Sequence, residues 1–326
     1  MKLVLVLIIG LIVGGGGGVY FGSKYFTPNE GNNKRSEIRI SGLKYTNPLL
    51  ECEGEDSLMT NALIPFKNVL EKQVKKSVDS GQASHISVYF RDLKNGPWIG
   101  INQEELFSPA SLLKVPIMMA YYKMAEDDVS LLEKEYSYDD LELSEDETYT
   151  LTLKKGNKYK VGDLINRMVI FSDNAAAHIL YNNLDPRKFA EPYSFLELEV
   201  PFTRLGEYSL SVRKYAGFFR LLFNASFMSP DASERALALM TKVQFPLGIR
   251  AGIPKEIEVA DKYGERSINE GNENQLHDCG IVYYPNYPYL LCIMTRGNDI
   301  QKLPEVVAGI SKVVYTEVDR QRKGVN

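Results

Sequence analysis

The order of strand-like and helix-like patterns is the feature that most constrains the fold of this chain. Apolar and polar residues alternate at residues 86–90 and again at 98–101, with an Asn-Gly turn at Asn95 between the two runs, as in a β-hairpin. Helical spacing then dominates residues 108–240, and a last helix follows Pro304. Alternation returns between these two helical regions in three runs, at residues 257–264, 280–284 and 289–295. Strands from both ends of the chain can therefore join one antiparallel sheet, with a helical lobe and a cleft beside the sheet edge.

Composition places the chain among ordinary globular proteins and excludes some functions. Of its 326 residues 44% are apolar and 25% are charged, with a net charge of −4, so nothing predicts nucleic-acid binding. No C-x-x-C pair occurs and the three histidines lie far apart in sequence, so we expect neither a metal site nor a cofactor. Cys279 and Cys292 are predicted to be small buried hydrophobic residues. Cys52 could join a disulfide in an oxidising compartment.

The N-terminal segment departs from the globular pattern. Residues 3–22 carry no charge and lie between Lys2 and Lys24, and about 20 apolar residues can span a bilayer as a helix. A cleaved signal peptide is the alternative, but no small-x-small cleavage site follows the apolar run. We therefore expect a membrane-anchored protein whose globular domain is extracytoplasmic. The predicted parts are residues 1–24 as anchor or signal segment, 25–58 as tether and extended arm, and 59–320 as globular domain.

A serine and a lysine one helical turn apart mark the start of the helical region. In the run FSPASLLK at residues 107–114, Ser108 suits an N-cap and the following proline suits the first helical position. Ser111 then falls in the first turn, where unpaired N–H groups and the helix dipole stabilise negative charge. Lys114 lies on the same face and can take the serine proton. A second match, SVRK at residues 211–214, is interpreted as a capped surface helix with a solvated basic face.

The run SDN follows at residues 172–174, between two helical patterns. Ser172 can relay a proton to a leaving nitrogen, and Asn174 can hold a substrate amide. The alternative interpretation of this run is an ordinary helix cap.

The run KYG at residues 262–264 lies in a strand-like stretch. Lys262 can hold a substrate carboxylate, and Gly264 lets a substrate backbone approach closely. Other K-x-G matches occur, but only this one has a strand around it and the right order after the serine motifs.

Together the three motifs resemble the S-x-x-K, SDN and K-T-G set of class A β-lactamases and penicillin-binding D,D-peptidases. The resemblance covers roughly residues 59–318. It implies an α+β fold with a five-stranded antiparallel sheet flanked by helices plus an all-helical lobe. It also implies a β-lactamase-like or D,D-peptidase-like serine hydrolase that forms an acyl-enzyme. The implied site comprises Ser111 as nucleophile, Lys114 as its base partner, Ser172 as proton relay, Asn174, Lys262, Tyr263 and Gly264 as substrate contacts, and the backbone N–H groups of Ser111 and Glu265 as oxyanion donors.

Two departures from the family's pattern bear on activity. Tyr263 stands where the family has threonine or serine, so its hydroxyl lies at the end of a large ring. The glutamate and asparagine that ready the deacylating water in class A β-lactamases have no clear match. Glu191 comes too early, and the loop that begins at residues 202–205 is short, with an exposed structural role expected for Glu207. We therefore expect weak deacylation unless Glu207 substitutes.

The expected substrates are β-lactams or D-Ala-D-Ala-like peptides of the peptidoglycan type, and the expected partners are such small molecules and the membrane. The alternative is a non-hydrolytic penicillin- or cell-wall-binding module that keeps the cleft. Retention of all three polar motifs argues against that alternative.

Overall fold

A computed structural model describes residues 38–39, 42–51, 64–94, 96–138, 153–201, 208–267 and 273–323. The chain divides into two compact units, and the smaller one, Met1–Ile38 with Glu51–Gly54, lies almost wholly outside these residues. The larger unit, Arg39–Leu50 with Glu55–Asn326, contains the main sheet and the helices. The predicted membrane span at residues 3–22 and Cys52 are also outside the described residues. Among the helices that are described, none is long and apolar enough to cross a membrane.

Five antiparallel strands form the main sheet of the larger unit. They are β3 His85–Asp92, β4 Trp98–Ile101, β9 Val259–Arg266, β10 Asn274–Val282 and β11 Tyr289–Gly297. The shorter strands are β1 Ile38–Arg39, β2 Leu49–Glu51, β5 Leu106–Phe107, β6 Glu135–Ser137, β7 Lys158–Lys160 and β8 Leu210–Ser211. The main sheet has the order β4-β3-β11-β10-β9. The predicted hairpin of β3 and β4 is confirmed, and β9 forms one edge of the sheet.

Eight α-helices occur within the described ranges. They are α1 Ile64–Asp79, α2 Lys114–Asp127, α3 Val161–Ile170, α4 Asn174–Asn182, α5 Pro186–Phe195, α6 Val212–Phe223, α7 Pro230–Met240 and α8 Leu303–Lys323. Helices α6 and α8 pack against the sheet and α1 packs against α8, whereas α2, α3, α4 and α5 pack mainly on one another. Helix α7 contacts both α6 and β9 on one side and the lobe helices α2 and α3 on the other. The predicted α+β fold, a five-stranded sheet flanked by helices with an all-helical lobe, is confirmed.

The second S-x-x-K match lies at the start of α6. Ser211 is the N-cap of that helix, and its hydroxyl accepts a hydrogen bond from the Lys214 backbone N–H. Ser211 is only 1% exposed, whereas Arg213 and Lys214 are exposed. The cap and the exposed basic residues are therefore confirmed, but the prediction of a surface helix is wrong, because most residues of α6 are buried and the helix packs against the sheet.

Part of the predicted arm is docked on the lobe. The carboxylate of Glu234 in α7 accepts hydrogen bonds from the backbone N–H groups of Lys44, Tyr45 and Thr46, at 2.8, 2.9 and 2.7 Å. The Asn47 N–H donates to the Phe223 carbonyl oxygen at 2.7 Å. Hydrogen bonds to a charged acceptor are stronger than neutral ones, so Glu234 holds this stretch of the arm in place.

Strand β10 departs from the sequence prediction in two respects. It begins at Asn274, six residues before the predicted start at Gly280. Polar residues interrupt the alternation in the first residues of β10, but most of them are buried and hydrogen-bonded. For example, His277 is buried, and its Nε2 lies 2.8 Å from the Ser108 carbonyl oxygen. Cys279 and Cys292 are buried as predicted, but they also face each other on β10 and β11 and form a disulfide.

Candidate active site

The nucleophile candidate lies in a tight turn that leads into the lobe. Ser111 is in the 3-10 turn Ala110–Leu113, which continues directly into α2 at Lys114. The prediction that Ser108 caps this helix is wrong, because no side chain caps the turn. Ser108 Oγ instead accepts a hydrogen bond from Arg266 Nη1 at 3.1 Å, which ties the turn to β9. Ala110, directly before the nucleophile, has a φ of 49° in the left-handed region.

Lys114 lies among the other polar groups of the site. Its Nζ is 2.9 Å from Ser111 Oγ, 2.6 Å from the Ser172 carbonyl oxygen, 3.0 Å from Ser172 Oγ and 2.6 Å from Asn174 Oδ1. The two shortest contacts join Nζ to oxygens that can only accept hydrogen bonds. A neutral amine satisfies both with its two N–H groups and keeps its lone pair for the Ser111 hydroxyl. The geometry therefore equips Lys114 to accept the Ser111 proton.

The SDN run supplies both a helix cap and site residues. Asp173 is the N-cap of α4, and its carboxylate accepts a hydrogen bond from the Ala176 N–H at 3.0 Å. Burial raises the pKa of Asp173, with Arg167 among the groups that oppose this. Ser172 has a φ of 56°, and this turn directs the Ser172 and Asn174 side chains to Lys114. The capping interpretation holds for Asp173, and Ser172 and Asn174 lie beside Lys114, whereas their roles as proton relay and substrate contact stay predictions.

Lys262 reaches the same serine from β9. Its Nζ donates to Ser172 Oγ at 2.9 Å and to the Tyr263 carbonyl oxygen at 2.7 Å. Once Lys114 has taken the Ser111 proton, its third N–H can donate to Ser172 Oγ, 3.0 Å away, and both lone pairs of that oxygen then have N–H partners. A hydroxyl with both lone pairs occupied can still donate its own proton. The arrangement therefore leaves the Ser172 proton available to a reacting group.

Acidic residues within the protein offset only part of the effect of burial on Lys262. Lys262 is fully buried, and burial lowers its pKa to about 7, with the carboxylates of Asp261 and Asp278 acting in the opposite direction. Asp261 is held by Arg250, whose Nε and Nη2 donate to it at 3.1 and 2.7 Å. Asp278 accepts from the Ile249 N–H at 2.8 Å. Burial raises the pKa of both acids.

Sequence reasoning missed this group of two buried acids, Asp261 and Asp278, with the partly buried Arg250. The available signal was the two acidic residues within apolar, strand-like runs. Fully buried acids are almost always paired, so such residues indicate a cation nearby. What the sequence did not indicate was that Arg250 lies close enough to be the partner.

Gly264 brings the sheet edge against the turn that holds Ser111. A Cβ atom at Gly264 would lie 2.9 Å from the Pro109 carbonyl oxygen, 3.0 Å from the Leu112 nitrogen and 3.1 Å from the Ser111 nitrogen. Glu265, the next residue of β9, is exposed. The two predicted oxyanion donors, Ser111 N–H and Glu265 N–H, therefore belong to elements in direct contact.

We expect Gly264→Ala to lower the rate of Ser111 acylation by about 10²-fold, because shifts of about 1 Å at a reacting group cost that much. The added methyl group would push against backbone atoms that cannot rotate away. The rate constant for acylation by a penicillin measures the effect. The matched control is Gly309→Ala in α8, where the nearest atom to the new Cβ would be the flexible end of Gln73, at 3.2 Å. A Gly264→Ala protein with the rate of the Gly309→Ala protein would contradict this prediction.

The remaining sequence candidates lie elsewhere. Glu191 is in α5, where it forms an ion pair with Lys188 at 2.7 Å, away from the Ser111 cluster. Glu207 and the rest of the run at residues 202–207 are outside the described residues. In the part of the chain that is described, no group of three or more histidine, cysteine, aspartate or glutamate residues could hold a metal ion.

A sheet with a helical lobe, and a serine–lysine pair at the start of a lobe helix beside the sheet edge, define a serine hydrolase-like fold. The chain belongs to the beta-lactamase enzyme family, whose profile matches residues 68–318. Its fold is similar to that of PBP-A, with a TM-score of 0.67 and 22% identity over 78% of this chain and 96% of that chain. A class A beta-lactamase from Mycobacterium abscessus is similar at a TM-score of 0.65 and 19% identity, over 77% of this chain and 99% of that one. A beta-lactamase from Chitinophaga pinensis matches at 0.65 and 17% identity, over 76% and 99%. A search of curated proteins found no match.

Proposed function

We propose that the protein is a serine hydrolase that forms an acyl-enzyme on Ser111 with β-lactam or D-Ala-D-Ala-like amide or ester substrates. The observation that carries this proposal is the position of Lys114 Nζ, 2.9 Å from Ser111 Oγ and held by acceptor oxygens of the SDN turn. A serine hydroxyl is a weak nucleophile unless an adjacent base removes its proton. The family membership of the chain agrees with this chemistry.

The proposed acylation uses the polar groups around Ser111. Lys114 takes the Ser111 proton as Oγ bonds to the substrate carbonyl carbon, and the carbonyl oxygen gains negative charge near the N–H groups of Ser111 and Glu265. The bond to the leaving group then breaks, and Ser172 donates its proton to the leaving nitrogen or oxygen. The proton on Lys114 returns to Ser172, 3.0 Å away. Asn174 holds the substrate amide.

A related fold supports the choice of substrate class. A mutant of PBP-A, 21% identical to this chain with a TM-score of 0.66, has been solved as an acyl-enzyme complex with penicillin G. The fold is therefore one on which penicillin can acylate a protein. We infer the same class of substrate here because Ser111 and its polar neighbours are assembled in this chain.

The test of the proposed function is intact-mass analysis after incubation with a penicillin. We expect one adduct per chain, lost in Ser111→Ala and retained in Ser211→Ala, which changes the serine of the second S-x-x-K match. The control variant is expected to lose about 1 kcal/mol of stability through its lost helix cap. An adduct that survives Ser111→Ala, or no adduct on the folded wild-type protein, would overturn the proposal.

We further propose that residues 3–22 anchor the protein in the membrane with the catalytic domain outside the cytoplasm. An uncharged apolar run of adequate length supports this, as does the buried Cys279–Cys292 disulfide, since disulfides persist mainly in oxidising compartments. Fractionation of cells that express the full chain is expected to recover it in the membrane. A shortened chain that begins at Gly42 keeps the residues docked on Glu234 and should be soluble. Recovery of an N-terminally cleaved form in the soluble fraction would instead indicate a signal peptide.

A further inference from the structure

Ser108 lies shortly before the nucleophile, and the sheet binds its backbone N–H, its carbonyl oxygen and its hydroxyl. The N–H donates to Gln275 Oε1 at 3.2 Å, the carbonyl oxygen lies 2.8 Å from His277 Nε2, and Oγ accepts from Arg266 Nη1 at 3.1 Å. Ser108, Gln275 and His277 are all buried. Three side chains of β9 and β10 therefore fix the start of the turn that holds Ser111.

These three side chains project from one face of the sheet. In the pairing of β9 with β10, Gln275 lies opposite Arg266 and His277 lies opposite Gly264. Side chains two residues apart on a strand point to the same side, and Gly264 faces the backbone of the nucleophile turn. The groups that bind Ser108 therefore lie on the face of the sheet that contacts this turn, with His277 beside the point of closest approach.

The neighbours of His277 determine which of its ring nitrogens carries a hydrogen. The Thr295 backbone N–H donates to Nδ1 at 3.3 Å, so Nδ1 acts as the acceptor and Nε2 carries the single hydrogen of a neutral imidazole. Burial lowers the pKa of His277 to about 4, which keeps the ring neutral at neutral pH. Its Nε2–H therefore donates to the Ser108 carbonyl oxygen.

The bonds to Ser108 come just before a strained residue. Ala110 has a φ of 49°, and a non-glycine residue in the left-handed region persists only when its surroundings hold it there. The bonds to Ser108 hold the chain on one side of Ala110. On the other side, the Tyr215 hydroxyl donates to the Leu112 carbonyl oxygen at 2.9 Å. The conformation of the nucleophile turn therefore depends on contacts at both of its ends.

We propose, on the basis of the proposed function, that His277 is a positioning residue for acylation, because its bond to Ser108 sets where Ser111 lies beside the sheet edge. One proposed oxyanion donor, the Ser111 N–H, belongs to the turn, and the other, the Glu265 N–H, belongs to β9. Two donors on different elements stabilise one oxygen only if the elements keep their spacing. His277 is buried and bonded to the backbone of the turn, so it acts through Ser108.

The test compares His277→Leu, which removes the donor, with His277→Gln, whose amide nitrogen is as many bonds from the backbone as Nε2 and can still donate. Intact-mass analysis at several penicillin concentrations gives the rate constant for acylation at saturation and the half-saturating concentration separately. We expect His277→Leu to lower that rate constant by about 10²-fold, since a shift of about 1 Å at a reacting group costs this much. The half-saturating concentration should stay within about threefold of the wild-type value, because the lost contact acts on the chemical step. His277→Gln should recover most of the lost rate.

Ser87→Ala on β3 is the matched control. Ser87 is 0% exposed, and its hydroxyl donates to the Asn102 carbonyl oxygen at 2.7 Å. The control therefore also loses one buried hydrogen bond to a backbone carbonyl, but none to the nucleophile turn, and it should be acylated at the wild-type rate. Gln275→Met removes the acceptor of the Ser108 N–H and should lower the rate constant in the same direction as His277→Leu.

Acylation of folded His277→Leu at the rate of Ser87→Ala would overturn the inference and leave the proposed function intact. A folded His277→Gln protein as slow as His277→Leu would also overturn it, because restoring the donor would then restore nothing. The wild-type protein labelled with ¹⁵N-histidine decides the question even if the variants fail to fold. Its imidazole ¹⁵N chemical shifts should show the His277 hydrogen on Nε2, and a hydrogen on Nδ1 would overturn the inference. Absence of an adduct on the folded wild-type protein would instead overturn the proposed function, on which this inference rests.

Discussion

Replacing Lys114 by methionine is expected to lower the rate constant for Ser111 acylation by about 10²–10⁴-fold, the usual contribution of a positioned general base. Methionine keeps a long unbranched side chain but has neither a lone-pair nitrogen nor N–H groups. Ser111 would lose its proton acceptor, and the acceptor oxygens of Ser172 and Asn174 would lose the donor that now lies 2.6 Å from each. Intact-mass measurement of adduct formation against time, at several penicillin concentrations, gives the rate constant.

The second S-x-x-K match provides a control of the same chemistry. Lys214 is also three residues after a serine, but it is exposed on α6. The Lys214→Met protein should be acylated on Ser111 at the wild-type rate. Thermal unfolding of both variants separates loss of the base from loss of the fold. If a folded Lys114→Met protein were acylated at the rate of Lys214→Met, Lys114 would not be the base.

The acyl-enzyme is expected to accumulate, because deacylation needs a water activated by a base. The candidates for that base are Lys114 and Glu207, and Glu207 is outside the described residues. General-base assistance is typically worth about 10²–10⁴-fold, or roughly 3–5 kcal/mol of barrier. Stopped-flow measurement of the cleavage of a chromogenic cephalosporin should show a burst of about one equivalent of product and then slow turnover. Intact-mass analysis should detect the adduct.

Glu207→Gln distinguishes the possible origins of any residual turnover. If Lys114 alone assists deacylation, Glu207→Gln should leave the rate of the slow phase unchanged. Fast steady-state hydrolysis without a burst, abolished by Glu207→Gln, would contradict slow deacylation and identify Glu207 as the deacylating base. An adduct that never turns over would instead favour a penicillin-binding module without hydrolysis.

Much of the fold and the composition of the candidate site followed from the sequence, because both depend on order and spacing. Alternating runs at the two ends of the chain predicted the antiparallel sheet, and the three motifs predicted which polar residues meet. Lys114 Nζ does lie within hydrogen-bonding distance of both Ser111 Oγ and Ser172 Oγ. Their catalytic roles stay predictions until the variants are measured.

The features that could not be predicted depend on contacts between distant residues. Phe245 and Tyr263 stack only because the segment after α7 returns to the sheet edge, and no spacing rule relates them. Lys262 is likewise buried by residues distant in sequence, among them Ser172, whose Oγ accepts from its Nζ at 2.9 Å. Ser108 looked like a helix cap because serine before proline suits that position, yet its hydroxyl accepts from Arg266 on β9. In each case tertiary packing overrode a local preference.

Two residues of the site have backbone angles in the left-handed region, and they limit how far the protein can be stabilised without slowing the proposed reaction. Ala110 and Ser172, with φ values of 49° and 56°, each hold a conformation that costs a non-glycine residue about 1–3 kcal/mol. Total stabilities of folded proteins are only about 5–15 kcal/mol, so this strain is a substantial share. Glycine at either position would relieve it, but Ser172→Gly removes the hydroxyl that we propose as the proton relay, and Ala110→Gly loosens the turn before Ser111. Laboratory evolution for heat resistance alone would therefore favour substitutions at these two positions that slow the proposed acylation of Ser111.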